Sequence, residues 1–225
     1  MVHTLAPEMV DRVNVQLLAA AGIILSAGHT DATYEQMRDG FADGFTGVTH
    51  LFNAMSPLAS RAPGVVGAAL ESEAWCGIVV DGRHVDPVVL RLALKCHRSD
   101  RFMLVTDAMP CVGGDRHSFR LQGKNVQVRD GACYDDAGTL AGADLDMASA
   151  VRNACRLLNI DLASASQMAS AAPAAFLGLS DETGRIAQGL RADLVLLDDD
   201  LNVLGSWIGG VGDIASVTDR GHVNV

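Results

Sequence analysis

Two histidines and one aspartate are the residues of this sequence whose types and spacing point most directly to chemistry. His29 lies in the stretch SAGHTD, His50 follows 21 residues later in GVTHLFNAM, and Asp107 lies in LVTDAMP. Two imidazoles suit a divalent ion such as zinc, which accepts nitrogen and carboxylate ligands in proteins. A carboxylate beside such an ion can take a proton from water and pass it to a leaving group. His29 and His50 are therefore candidate metal ligands, and Asp107 is the candidate general base and general acid.

Four apolar runs of the kind that form buried strands precede the candidate residues. The runs span residues 23–25, 45–49, 77–80 and 102–105, and they are followed by His29, by His50, by Asp81 with His84, and by Asp107. In βα architectures, the residues just after the carboxyl end of each strand face one common rim. A single histidine at a strand end is more often a structural residue, so the prediction of a metal site depends on all four strand ends together. Asp81 is interpreted as a residue that orients a neighbour rather than as a ligand.

Segments with the apolar spacing of helices alternate with these strands. They include residues 8–21, residues 30–41 with Thr30 and Asp31 as the predicted cap, and a segment that begins at Pro87. Strands that alternate with helices predict βα units around a parallel sheet. Beyond Asp107 the pattern predicts a hairpin over residues 119–128, helices over 144–158 and 162–177, and a small β unit from Gly184.

The composition argues against several classes of function. The 225 residues carry 17 basic and 27 acidic side chains, and the net charge of −10 argues against a nucleic-acid partner, because phosphate backbones attract basic surfaces. The five cysteines include no C-x-x-C pair, so a reducing, cytoplasmic compartment fits better than a disulfide scaffold. The longest apolar run covers only residues 17–25, so neither a signal peptide nor a membrane span is predicted.

Two loops carry further candidate groups. The loop SPLASRAPGVVGAAL at residues 56–70 holds Arg61, which is either a solvated surface residue or an anion clamp, because a guanidinium can bind phosphate through two hydrogen bonds. No G-x-x-x-x-G-K-[ST] and no convincing G-x-G-x-x-G motif occurs, so nucleotide binding is not predicted. Residues 138–147, GTLAGADLDM, are interpreted as a plain loop and helix cap or as a lid over the site. His97 and His117 lie among polar residues and are interpreted as surface residues.

Seven stretches of the sequence together resemble one enzyme family. They are TLAPE at residues 4–8, SAGHT at 26–30, THLFNAM at 49–55, RAPGVVGA at 61–68, DGRHVDP at 81–87, LVTDAMP at 104–110 and GTLAG at 138–142. In this order they are similar to the N-acetylglucosamine-6-phosphate deacetylases of the amidohydrolase superfamily. The resemblance implies an α/β fold, with a partial (β/α)8 TIM barrel of the metal-dependent hydrolase type over residues 1–182. It also implies that residues 183–225 form a small C-terminal β segment of a β-sandwich domain.

The resemblance also implies roles for individual residues. His29 and His50 match the family's two histidine ligands of a divalent metal, with zinc expected and iron, cobalt or manganese as alternatives, and Asp107 matches its catalytic aspartate. Four positions match the groups that hold the sugar phosphate: Asn53, Ala54, Arg61 and His84. Leu140 falls in the region that closes over the sugar and the acetyl group. The implied activity is hydrolysis of the acetamide of N-acetylglucosamine 6-phosphate to glucosamine 6-phosphate and acetate by a homodimer.

One departure from the family pattern leaves alternatives open. In the family, a glutamate ligand and a histidine that polarises the carbonyl precede the TLAPE segment, and Glu8 matches a position that is not a ligand. The sequence therefore resembles barrel strands four to eight. One alternative is a truncated, catalytically inactive remnant that acts at most as a sugar-phosphate-binding or oligomerisation module. Another is a related amidohydrolase for a different N-acyl sugar or a cyclic amide, which Arg61 with His84 disfavours because both suit a phosphate.

Overall fold

A computed structural model of the chain describes residues 1–114, 117–121 and 123–214. The last part of the predicted C-terminal β segment, residues 215–225, lies outside the described residues. The described part contains three sheets and seven α-helices. None of the helices in these ranges combines the length and the apolar character that crossing a membrane requires.

A five-stranded parallel sheet forms the centre of the larger part of the chain. Its strands, in chain order and in order across the sheet, are β1 (Val2–Leu5), β2 (Ile24–Ala27), β3 (Phe45–Val48), β4 (Trp75–Val79) and β5 (Phe102–Val105). The register sets Leu5 beside Ala27 and Val79 beside Val105, so the carboxyl ends of the strands lie along one edge. The predicted α/β fold with a parallel sheet is confirmed. Within the described residues the sheet is open, because β1 pairs only with β2 and β5 pairs only with β4.

Helices connect consecutive strands of this sheet. The four connecting α-helices are α1 (Arg12–Ala20), α2 (Tyr34–Asp43), α3 (Gly64–Glu71) and α4 (Pro87–Cys96), and short 3-10 turns occur at Pro7–Met9 and Ser99–Arg101. Helix α4 begins at Pro87, as predicted. The carboxylate of Asp86 accepts a hydrogen bond from the backbone N–H of Val88 at 2.7 Å and caps the helix.

The start of α2 differs from the prediction. Its cap is Thr33, whose hydroxyl accepts from the backbone N–H of Gln36 at 3.2 Å, while the Gln36 side-chain oxygen accepts from the Thr33 N–H at 2.8 Å. This reciprocal pair is a capping box. Thr30 does not cap the helix, because its hydroxyl donates to the Glu8 carboxylate at 2.5 Å. The helix therefore starts at Tyr34, after a short extended segment.

A four-stranded antiparallel sheet follows β5. Its strands in order are β6 (Ser118–Leu121), β7 (Lys124–Arg129), β8 (Ala132–Asp135) and β9 (Leu140–Ala143). The hairpin predicted over residues 119–128 corresponds to β6 and β7. The alternative of a plain loop with a helix cap at residues 138–147 is only partly right: β9 lies there and Gly142 pairs with Cys133 of β8, whereas Asp146 caps the helix that follows.

The remaining elements are a helical region and a small sheet. The helices are α5 (Met147–Leu158), α6 (Leu162–Ser166), a π-helical segment (Gln167–Ala171) and α7 (Ala172–Phe176). The strands form an antiparallel sheet of β10 (Leu194–Leu197), β11 (Val203–Ile208) and β12 (Val211–Ile214). The β structure expected after Gly184 is therefore present.

The main core lies between the parallel sheet and its helices. Its largest fully buried side chains include Phe102, Leu25, Met37, Leu51 and Ile78. Burying a side chain of this size stabilises the fold by roughly 1.5–3 kcal/mol. The core therefore holds the sheet, and with it the strand ends, in a fixed arrangement.

His97 belongs to this interior, and its prediction as a surface residue is wrong. The side chain is buried, its Nε2 lies 2.9 Å from the carbonyl oxygen of Ala74, and its ring stands edge-on to Phe102 at 5.4 Å. Ala74 lies 23 positions before His97, so the polar residues that surround His97 in the sequence gave no indication of this contact. His117 is exposed, as predicted.

A second, smaller core lies against the four-stranded sheet. Its buried members are Cys111, Val126 and Cys133, and the two sulfur atoms are 3.4 Å apart as free thiols. This cluster joins the segment that follows β5 to strands β7 and β8.

Candidate active site

The ends of β2, β3 and β5 bring three of the predicted site residues to one pocket. His29, His50 and Asp107 line an open cavity of about 490 Å³ beyond the carboxyl edge of the parallel sheet. Thr4 and Leu5, at the end of β1, line the same cavity. Two imidazoles and a carboxylate therefore share one solvent-accessible space.

All three residues have a left-handed backbone conformation. The φ angle is +51° at His29, +29° at His50 and +50° at Asp107. Residues other than glycine rarely adopt this conformation, and each instance costs on the order of 1–3 kcal/mol. Neighbouring strands hold the turns in place, as when the N–H of Leu51 donates to the carbonyl of Gly77 at 2.7 Å. The fold thus maintains an unfavourable turn at the three strand ends that carry the candidate chemistry.

Gly28 allows the strand ends that carry the histidines to approach each other. A Cβ atom at this position would overlap the methyl group of Thr49 and would lie 3.0 Å from the methyl carbon of Thr4. A larger residue would force β2 away from its neighbours on both sides. The glycine that precedes His29 is therefore a packing requirement of the pocket.

The imidazoles of His29 and His50 lie edge to face. Their ring centroids are 4.7 Å apart and their planes are inclined at 85°. His29 is exposed, whereas His50 is 7% exposed, and its Nδ1 has no hydrogen-bond partner within the described residues. Burial lowers the pKa of His50 by more than the charge of Asp107 raises it. The neutral ring is the form that can offer a lone pair to a cation.

His84 lies between two carboxylates. Its Nδ1 is 2.6 Å from Asp81 Oδ2, and its Nε2 is 3.4 Å from Asp107 Oδ2. The side chains of His84 and Asp81 are 3% and 4% exposed, and that of Asp107 is 35% exposed. Burial alone lowers the pKa of His84, but the hydrogen bonds and charges of Asp107 and Asp81 outweigh it and raise the pKa to about 9. The hydrogen bond from His84 in turn lowers the pKa of Asp107, which is therefore ionised at neutral pH.

None of the five predicted substrate-binding residues is in the lining of the pocket: Asn53, Ala54, Arg61, His84 and Leu140. The Asn53 amide donates to the carbonyl of His50 at 3.2 Å and so braces the turn at that histidine. Ala54 and Arg61 are exposed, and Arg61 makes no hydrogen bond or ion pair with any other described residue. Leu140 is partly buried in β9. The structure brings the metal and acid–base candidates together at one cavity and does not place the substrate-binding candidates in its lining.

Glu8 stabilises the loop after His29, which sequence reasoning missed. Its carboxylate accepts a hydrogen bond from the Thr30 hydroxyl at 2.5 Å and another from the Asp31 backbone N–H at 2.8 Å. The partners are far apart in the sequence, so no local pattern could have indicated the contact. Glu8 therefore supports the segment that follows His29 without lining the pocket.

Asp107 is tied to the four-stranded sheet, which the sequence also did not indicate. The N–H of Ala143 donates to the Asp107 carbonyl at 2.9 Å, and the N–H of Met109 donates to the Ala143 carbonyl at 3.0 Å. Strand β9 therefore pairs with the chain just beyond β5. The contact of Asp81 with His84 could have been predicted from the sequence, because His84 follows Asp81 by three positions in the short turn DGRH.

The described residues fit two positions of a metal site and do not complete one. The neutral ring of His50, with its unpartnered nitrogen beside His29, suits a cation that binds imidazole. No group of three or more His, Cys, Asp or Glu side chains in the described ranges is arranged to hold a metal ion. Catalytic zinc sites use three protein ligands, and the described residues place two imidazoles, His29 and His50, at this pocket.

The sequence matches known amidohydrolases. The sequence model of the amidohydrolase family matches residues 6–223. The chain is 46% identical over 209 residues to an N-acetylgalactosamine-6-phosphate deacetylase of Shewanella sp. (strain ANA-3), a match that covers 92% of this chain and 52% of the relative. It is 39% identical over 193 residues to an N-acetylglucosamine-6-phosphate deacetylase of Haemophilus influenzae, which covers 84% of this chain and 50% of the relative.

The fold matches a solved deacetylase structure. The crystal structure of N-acetylglucosamine-6-phosphate deacetylase from Pasteurella multocida superimposes with a TM-score of 0.92 at 41% identity, over 95% of this chain and 56% of that chain. The chain spans about half the length of the curated relatives it matches, 52% and 50% of the two described above. The resemblance to N-acetylglucosamine-6-phosphate deacetylases that the seven stretches indicated is confirmed. With the family pattern matched from residue 6 to residue 223, this chain belongs to the amidohydrolase family.

Proposed function

We propose that this chain serves the hydrolysis of the acetamide of N-acetylglucosamine 6-phosphate, which gives glucosamine 6-phosphate and acetate. The observation that carries the proposal is the convergence of His29, His50 and Asp107 on one pocket. The similarity to deacetylases of two N-acetylamino-sugar phosphates supports the substrate class.

Asp107 is the proposed general base and general acid. Its pKa is lowered by the hydrogen bond from His84, so the carboxylate is ionised at neutral pH and can accept a proton from the attacking water. The same carboxyl then delivers the proton to the nitrogen of the leaving amine. The backbone hydrogen bond from Ala143 to Asp107 supports this role, because it holds the backbone that carries the carboxylate in place before a substrate arrives.

His29 and His50 are the proposed ligands of a divalent cation, zinc first, with iron, cobalt and manganese as alternatives. A cation bound there polarises the acetamide carbonyl and lowers the pKa of water. The unpartnered nitrogen of the buried His50 supports this assignment. We place the remaining protein ligand outside the described residues, since none of them completes the set.

Arg61 is the proposed anchor of the 6-phosphate group, with Asn53, Ala54 and Leu140 around the sugar. Its exposed guanidinium has no partner among the described residues and is therefore available to an anion. His84 can reach the phosphate only through the nitrogen that faces Asp107. Arg61→Ala should weaken phosphorylated substrates far more than unphosphorylated ones. An equal loss for both would count against the assignment.

N-acetylgalactosamine 6-phosphate is the second candidate substrate. The relative at 46% identity is an N-acetylgalactosamine-6-phosphate deacetylase, whereas the Haemophilus relative and the Pasteurella structure are N-acetylglucosamine-6-phosphate deacetylases. The two sugars differ only in the configuration at C4. The acetamide and the phosphate are the same in both, so the proposed chemistry of Asp107 and Arg61 applies to either.

The proposal includes a fold, an assembly and a location. We interpret the open sheet as an arc of a (β/α)8 barrel over residues 1–182, with residues 183–225 as a separate β segment, and the match to the Pasteurella structure supports this. Exposed apolar side chains on α1 and α4, including Leu17 and Leu92, support a homodimer. The five cysteines, which form no disulfide in the described ranges, support a cytoplasmic location.

The alternative is a chain that binds a sugar phosphate, or associates with other chains, without turnover. The incomplete set of metal ligands in the described residues favours it. This alternative predicts binding of the phosphorylated sugar without acetate release under any metal.

Acetate release by the full 225-residue chain separates the two proposals. The protein is stripped of metal, reloaded with zinc, iron, cobalt or manganese, and assayed with both phosphorylated sugars and with unphosphorylated N-acetylglucosamine. Asp107→Asn is the control, because it preserves the size of the side chain and removes the base. Turnover of phosphorylated sugars that is abolished in Asp107→Asn supports the deacetylase. Binding without any acetate release refutes it and supports the alternative.

A further inference from the structure

We propose that Asp81 is a positioning residue for Asp107 that acts through His84: its carboxylate holds the imidazole so that Nε2 faces the catalytic carboxylate. The inference deepens the proposed function and rests on it for the role of Asp107. The orientation of the His84 ring can be measured without any turnover.

Both oxygens of Asp81 are engaged by donors of its own turn. Oδ1 accepts from the backbone N–H of Arg83 at 2.8 Å and from that of His84 at 2.9 Å, and Oδ2 lies 2.6 Å from His84 Nδ1. Gly82 has φ of +71°, which glycine adopts without strain and which lets the turn close. The side chains of Asp81 and His84 are almost fully buried. The carboxylate is therefore fixed by three N–H groups at the base of the turn.

This contact determines which edge of the imidazole faces Asp107. An ionised carboxylate only accepts hydrogen bonds, so the nitrogen next to Asp81, Nδ1, carries a proton. Nε2 is then the nitrogen beside Asp107, whose Oδ2 is 3.4 Å away. Carboxylate–histidine contacts fix ring orientation and tautomer in the same way in other enzyme sites. Without Asp81, the ring of His84 could turn either edge towards Asp107.

A purely structural role for Asp81 is the rival explanation, because two of its three contacts are with backbone groups. Asp81→Asn separates the two roles. Its amide oxygen can still accept from both backbone N–H groups, whereas the NH2 that replaces Oδ2 cannot accept from Nδ1. Asp86→Asn is the matched control, since Asp86 lies in the same loop and accepts from the Val88 N–H at the start of α4.

Long-range ¹H–¹⁵N spectra of the full chain labelled with ¹⁵N-histidine test the proposal. They report which ring nitrogen carries a proton, and His84→Gln identifies the resonances of His84. We expect the single ring proton of His84 on Nδ1 in the wild type and in Asp86→Asn at a pH above its pKa of about 9, where the ring is neutral, and loss of this signature in Asp81→Asn. Unchanged His84 resonances in Asp81→Asn would overturn the proposal.

The spectra of Asp107→Asn are the second measurement. They test whether Asp81 orients the His84 ring even where Asp81→Asn does not fold. The Asp107 side chain is 35% exposed, so this substitution disturbs little packing. If Asp81 holds the ring, the Nδ1 signature persists in Asp107→Asn. Its loss in that variant would show that Asp107 orients His84, which overturns the proposal.

The acetate assay supplies a readout that a structural role would not produce. We expect Asp81→Asn to lower kcat by about 10- to 100-fold with little change in KM, while Asp86→Asn changes neither. A rise in KM with unchanged kcat would assign Asp81 to substrate binding and overturn the proposal. Absence of turnover in the wild type would count against the proposed function alone, because the spectra decide the orientation of His84 independently.

Discussion

Raising the pH from about 6 to about 10 should destabilise the fold through His84, and His84→Gln should remove this dependence. The imidazole lies between Asp81 and Asp107, and these partners raise its pKa from 6.5 to about 9. The protonated ring is therefore bound more tightly in the folded protein than in the unfolded chain. This contribution is fully present below pH 6.5 and is lost as the pH rises through about 9.

The magnitude follows from the same two values. The difference between 6.5 and about 9 corresponds to at most about 3 kcal/mol, since each tenfold change in proton affinity is about 1.4 kcal/mol. The side chains of His84 and Asp81 are almost fully buried, but that of Asp107 is 35% exposed, so solvent screening reduces the part of this figure that Asp107 supplies. We therefore expect the free energy of unfolding of the wild type, relative to His84→Gln, to fall by up to about 3 kcal/mol across this pH range.

Urea unfolding followed by circular dichroism at steps of pH measures the effect. The wild-type curve minus the His84→Gln curve isolates the contribution of His84. His97→Gln is the control for loss of a buried imidazole, because that ring contacts a backbone carbonyl and Phe102 rather than a carboxylate. A wild-type advantage over His84→Gln that stays the same at both ends of the range would refute a charged imidazole between two carboxylates.

Three further outcomes are expected. Gly28→Ala should lower the free energy of unfolding by about 1–3 kcal/mol, because its methyl group overlaps a threonine side chain; an unchanged melting temperature would contradict this. Glu8→Ala should lower the free energy of unfolding by about 1.5–3 kcal/mol, because the hydrogen bonds of Thr30 and Asp31 to a charged carboxylate are lost, and should weaken zinc binding as measured by calorimetry. Iodoacetamide near neutral pH should label the exposed Cys96 and spare the buried Cys111 and Cys133, because burial raises the pKa of Cys133 to about 12; equal labelling by mass spectrometry would refute this.

The convergence of the candidate residues was predictable because parallel strands end at one edge. The apolar runs before His29, His50 and Asp107 correspond to β2, β3 and β5, with ends that differ by no more than a few residues. The left-handed turns at these residues could not be predicted, since histidine and aspartate adopt that conformation only rarely, although more often than most residues do. Hydrogen bonds from neighbouring strands impose it, and these depend on the assembled sheet.

The features that sequence reasoning missed depend on partners far away in the chain. Thr30 resembled a helix cap, but its hydroxyl is taken by Glu8, 22 residues earlier. The contact of His97 with Ala74 spans 23 residues. Strands β8 and β9 have the sequences ACYD and LAGA, which lack the strict alternation of apolar and polar residues that indicates a strand. Local pattern therefore identified the parallel sheet and not the contacts that brace its rim.

The backbone pairing of Asp107 with Ala143 has a consequence for how such a chain can diverge. Any substitution that alters how β9 lies against β8 shifts the backbone beneath the carboxylate, while every reactive group stays chemically intact. For the proposed deacetylase, the reactivity of Asp107 then depends on residues of β8 and β9 that do not line the pocket. A directed-evolution library confined to residues 132–143 would alter the backbone next to Asp107 while His29, His50 and Asp107 themselves stay unchanged.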